Sequence, residues 1–86
     1  MNKFSSFLNR KCKSNKNSIR KIASLSKITH PYLLDLMSGK KNPPDINTQI
    51  NIANALELNQ TEKTRFFDLA AKERRRTTSR HIQFYT

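Results

Sequence analysis

The chain has 86 residues, a formal charge of +11 and 35% hydrophobic residues, which allows one small domain with a modest core and excludes most large enzyme folds. A pI near 10.4 draws it to polyanions, whether DNA, RNA, anionic membrane or an acidic protein, while no apolar run approaches the ~20 residues of a transmembrane helix. One Gly, three Pro and a single Cys favour helices over a turn-rich β design and leave no intrachain disulfide and no four-ligand zinc set.

The punctuation predicts five short helices. Phe4, Phe7, Leu8 and Cys12 fall at i, i+3, i+4, i+8, one helical face over roughly residues 3–13. Its apolar part is too short and broken for a signal h-region, so a cytoplasmic protein is expected. Ser14 to Asn17 break this helix, and Ser18 can cap a second one with Ile19, Ile22 and Ala23 inward. Ser26-Lys27-Ile28 forms a link. Thr29 can cap a third helix, with Pro31 in its first turn and Leu33, Leu36 and Met37 at helical spacing. Gly39 suits a left-handed C′ position, and Pro43-Pro44 prevents continuation. A fourth helix starts near Asp45 or Asn47, with Ile46, Ile50, Ala53 and Leu56 predicted to face inward. Asn59 caps a fifth, and Glu62 can return the bond in a capping-box variant. Phe66, Phe67, Leu69 and Ala70 give that helix its apolar side. A basic, polar stretch with Ile82, Phe84 and Tyr85 follows, and its composition predicts no structure of its own.

The charge is uneven. Residues 1–42 hold ten Lys/Arg and one acid, Asp35, for +9; residues 43–71 total −2; residues 72–86 total +4. The first half, not the middle, suits a polyanion.

Helices two and three, each about eight residues long and joined by a short link, have helix-turn-helix spacing. Ala23 is small where the helices approach, Ile28 can plug the corner, and Leu33 and Leu36 anchor the third helix with its opposite face free. Here the chain resembles the Cro and phage-repressor type, or XRE family, of helix-turn-helix regulators. The likeness lies in Ile22-Ala23, Lys27-Ile28-Thr29, Tyr32-Leu33-Leu34, Leu36-Met37, Gly39-Lys40 and Pro43-Pro44. It continues through Ile50 to Leu58 and Gln60 to Ala71, covers roughly residues 4–72 and is gapless from Ser18 to Leu58. Three departures stand out. Lys27 replaces the turn glycine. Met37 replaces a frequent Glu near Cys12, so an apolar contact takes the place of an ion pair. Ile19 replaces a phosphate-touching Gln.

The resemblance implies an all-α fold, a compact five-helix bundle of the lambda-repressor-like type with a short C-terminal tail. Residues 1–72 would form the domain (motif about 18–38) and 73–86 a basic tail that docks or dimerises, with helix five and the tail as the candidates for the dimer surface. It also implies that the start of the third helix enters the major groove. The base-reading candidates are His30, Pro31, Leu34 and Asp35. His30 can bond a purine edge, Leu34 can pack on a thymine methyl, and Asp35 can accept from cytosine N4. Plainer readings stand beside these: His30 as an ordinary exposed residue, Leu34 as part of the core, and Asp35 in a salt bridge to Arg20 or Lys27. The phosphate-binding candidates are Ser18, Thr29, Ser38, Lys40, Lys41 and Asn42. Arg74, Arg75 and Arg76 are either a second phosphate arm or the solvated end of helix five.

The six carboxylates are scattered, His30 and Asp35 lie on different ridges, and one glycine builds no phosphate loop. An enzyme is therefore not expected, nor a cofactor or metal. The expected function is a sequence-specific DNA-binding regulator, read as a repressor, that binds double-stranded DNA as a homodimer and does not engage a membrane. Its half-sites would lie about one turn, ~34 Å, apart. The alternative is a protein-interaction module on the same fold, with a protein partner: antitoxin-like, antirepressor or inhibitor of a host protein. RNA binding is disfavoured by the scarcity of aromatics for stacking.

Overall fold

Every helix of the computed structural model opens on a side-chain cap, and those of α2, α3 and α5 are the ones expected from sequence. The structure describes the backbone of residues 2–85 and the side chains of residues 2–75. The elements are α1 (Lys3–Ser14), α2 (Ile19–Leu25), α3 (His30–Ser38), α4 (Ile46–Ala55) and α5 (Gln60–Tyr85), and the protein is an all-α five-helix bundle. Asn2 accepts from the Ser5 N–H at 2.7 Å, Ser18 from Lys21 at 3.1 Å, Thr29 from Tyr32 at 3.2 Å and Asp45 from Thr48 at 3.1 Å. Asn59 Oδ1 accepts from the Glu62 N–H at 2.8 Å, and Glu62 Oε1 from the Asn59 N–H at 3.0 Å. That is the reciprocal box expected there.

Three helices end on a left-handed residue. Gly39 (φ 85) closes α3, as expected, whereas Lys27 (φ 62) and Glu57 (φ 54) do so without glycine's freedom. The links after α2 and α4 are the same motif. Lys27 N–H donates to Ser24 O and Ile28 N–H to Ala23 O; Glu57 N–H donates to Asn54 O and Leu58 N–H to Ala53 O. In each an apolar residue, Ile28 or Leu58, turns into the core just before the next cap.

One core unites the helices. Phe4, Phe7, Leu8 and Cys12 of α1 meet Ile22 and Ala23 of α2 and Leu33, Leu36 and Met37 of α3. Phe66 of α5 is fully buried, with ring centroids 5.3 Å from Phe4 and 6.1 Å from Phe7. Cys12 and Met37 share this cluster, and burial pushes the Cys12 thiol up to about 12, so it behaves as an apolar side chain. Lys11 reaches across from α1 to pair with Glu62 on α5. α1 packs on α3 and α5, and α2 on α3 and α4. Among the described residues the α3 backbone makes no close approach to that of α4 or α5.

Two expectations are corrected. Ile46 and Ile50 do not face inward: they are 57% and 43% exposed. The buried stripe of α4 runs through Gln49, Ile52, Ala53 and Leu56 instead. It contains a glutamine because Gln49 Nε2 donates to Pro44 O at 2.7 Å, which satisfies the amide inside the protein. α5 also continues past Ala71 to Tyr85, since no Gly or Pro interrupts Lys72 to Tyr85.

Candidate nucleic-acid interface

α2, a four-residue link and α3 form the face that the sequence singled out. The link is fixed at several points. Ser26 is buried and its hydroxyl donates to Ile22 O at 2.7 Å, while Ile28 packs on the core. Leu33 and Leu36, both fully buried, hold the inner side of α3. The outer side is left to solvent. Pro31 and Ser38 are exposed, Leu34 is 41% exposed, and His30 and Asp35 are half-buried. Leu34 is therefore not a core residue.

The Asp35 carboxylate has no hydrogen bond or ion pair among the described residues, so the salt bridge to Arg20 or Lys27 does not form. The Asp35 carbonyl, by contrast, receives the Lys40 N–H at 2.9 Å and fixes the chain as it leaves α3. Ser38 also turns its hydroxyl back, donating to Asp35 O at 3.2 Å. Thr29 and Ser18 use their oxygens as acceptors in the caps and keep their O–H groups as donors. Lys40, Lys41 and Asn42 follow Gly39 in an exposed run, and neither lysine has an ion-pair partner among the described residues.

Lys21 and Lys27, exposed near the caps Ser18 and Thr29, are cations that were not among the phosphate-binding expectations. Their proximity to those caps in sequence was the available signal. Arg74 departs from both readings of the basic run. Its Nη1 donates to Pro44 O at 2.8 Å and Pro43 O at 3.3 Å, so it fastens α5 to the turn before α4 and is neither a free arm nor a solvated helix end. Arg75 is exposed. Arg76, Ile82, Phe84 and Tyr85 have side chains outside the described residues, so the phosphate-arm and docking expectations for them are not addressed there.

Two carboxyls are perturbed, both at caps away from α3. Hydrogen bonds from Thr48 hold Asp45 below the ordinary aspartate range. The Lys11 ammonium, followed by the Asn59 N–H, holds Glu62 below the ordinary glutamate range. Among the described residues no group of three His, Cys, Asp or Glu side chains could hold a metal ion. No helix there is long and apolar enough to cross a membrane. The outer face of α3 and its flanks offer hydrogen-bond donors and acceptors, the apolar side chains of Pro31 and Leu34, and neighbouring positive charge. Comparison with known protein families, curated proteins and solved structures finds no match.

Proposed function

We propose that the chain is a sequence-specific DNA-binding regulator of the Cro and phage-repressor type, a cytoplasmic homodimer that represses from an inverted-repeat operator. The observation that carries this reading is the outer face of α3, where Pro31 and Leu34 are exposed and His30 and Asp35 half-buried, followed after Gly39 by the exposed Lys40 and Lys41, which have no ion-pair partner among the described residues. In it the start of α3 enters the major groove, and Thr29, Lys40 and Lys41 hold the flanking phosphates. Ten of the eleven charged groups in residues 1–42 are basic, which supplies long-range attraction and the sequence-independent part of the affinity. A fluorescence titration with duplex DNA should show binding that falls steeply with salt. Binding that is flat in salt would contradict the reading.

A second reading, a module that docks on another protein through the same face, is favoured by Leu34 and by the unpaired Asp35. An apolar side chain and a carboxylate suit a basic, apolar protein surface as well as base edges. Stoichiometric capture of a protein partner, together with no duplex binding at moderate salt, would select it over the first.

A further inference from the structure

The link between α2 and α3 has a twin in the same chain. Thirty residues on, α4 and α5 repeat it: Ile22 and Ala23 correspond to Ile52 and Ala53, and Lys27-Ile28-Thr29 to Glu57-Leu58-Asn59. Both links run through the same two backbone hydrogen bonds and the same left-handed residue, Lys27 at φ 62 and Glu57 at φ 54. They differ in what the charge of that residue meets. The Glu57 carboxylate pairs with Lys16 Nζ at 3.5 Å, inside the chain. Lys27 is exposed and has no ion-pair partner among the described residues.

We infer that Lys27 is a phosphate-binding residue of the DNA face, holding the backbone at the start of α3 while Lys40 and Lys41 hold it beyond the end. For the free chain, lysine is the wrong residue there on three counts. It occupies the left-handed region, where glycine fits without steric cost. Its charge stands two residues before the Thr29 cap, beside the positive end of the α3 dipole. Exposed Arg20 and Lys21 on α2 add like charge, and residues 1–34 contain no acid to offset it. The second and third counts reverse when a phosphate lies against the entry of α3. The first is then the cost of placing a side chain where glycine has none. Length fits as well. The nine residues of α3 span ~13 Å, close to the ~12 Å width of the major groove, so cations at its two ends can reach phosphates on opposite walls. This rests on the DNA-binding part of the proposed function and adds a contact to that face.

Titration of the full chain with a mixed-sequence duplex over a range of salt tests it, beside thermal melts of the same samples. Lys27→Gly and Lys27→Asn both suit the left-handed region and remove the charge. Both are expected to melt no lower than wild type, to bind duplex several-fold more weakly and to lose about one unit of salt slope. Lys27→Arg should keep the wild-type slope. Arg65→Gln, which removes an exposed cation on α5, should leave it unchanged and so measures the effect of charge alone. A wild-type slope in Lys27→Gly and Lys27→Asn, or a fall no greater than that of Arg65→Gln, overturns the inference and leaves the DNA reading standing. A wild-type chain that binds no duplex overturns the broader reading and the inference with it.

Discussion

At the residue scale, the cap chemistry of α2, α3 and α5 and the closure of α3 were legible because each rests on one local rule. Ser18, Thr29 and Asn59 sit where an oxygen must meet a free N–H, and Gly39 sits where φ turns positive. Lys27 was legible as the occupant of a glycine position, and it does take φ 62. Lys27→Gly should therefore raise the thermal midpoint, with a gain of about 0.5–1 kcal/mol in chemical denaturation. An unchanged midpoint would show that the link carries no strain. Glu57 was not legible, since nothing distinguishes an αL glutamate from a helical one until Leu58 is seen to turn inward. Arg74 was misread because its partners are the Pro43 and Pro44 carbonyls, thirty-one and thirty residues away. Arg74→Ala should cost about 1 kcal/mol, the usual worth of a partly exposed hydrogen-bonded contact, whereas Arg75→Ala should be near neutral by the same denaturation assay. Glu62 carries a pH signature. Its folded pKa lies below its ordinary value of 4.5, so its contribution is full above that value and is lost as pH falls through the folded value. Thermal melts from pH 6 down to pH 3 should thus show a smaller loss for Glu62→Gln than for wild type. Equal losses would mean that the Lys11 pairing does not stabilise the fold.

At the element scale, helix number and order were legible from periodicity and punctuation, but the rotation of α4 was not. The sequence offers two stripes: Ile46, Ile50, Ala53, Leu56 and Gln49, Ile52, Ala53, Leu56. Counting apolar residues selects the first. The protein uses the second because Pro44 presents a carbonyl to the Gln49 amide, a tertiary partner that no count of apolar residues can register. The same rotation turns Ile46 and Ile50 outward. α3 was legible on both sides: Leu33 and Leu36 are buried and Leu34 is exposed. Its flank gives a prediction of its own. Lys40→Ala with Lys41→Ala should weaken binding to all duplex sequences alike and reduce the salt slope by about two. A loss confined to one sequence would reassign these lysines to base contact.

At the scale of the whole molecule, the charge of +11 divides along the packing. The basic half contains α1, α2 and α3; the slightly acidic stretch contains α4 and the first half of α5. The basic charge thus gathers on the first three helices. The all-helical fold was legible because compact helical packing follows from local pattern and one shared core. The site was legible only as a face, since the identity of what it reads depends on the ligand. The odd member is Asp35, the one acid in residues 1–42, which lies on that face with no ion-pair partner among the described residues. Near phosphates such a carboxylate is unfavourable unless it accepts from a base, and cytosine N4 is the group that donates in the major groove. In vitro selection of duplex DNA by the full chain tests the central claim most directly. The account predicts an enriched inverted repeat with half-sites about one helical turn apart, whose preference changes in His30→Ala, Leu34→Ala and Asp35→Ala. A pool that stays random after selection, with equal affinity for every sequence, would contradict it.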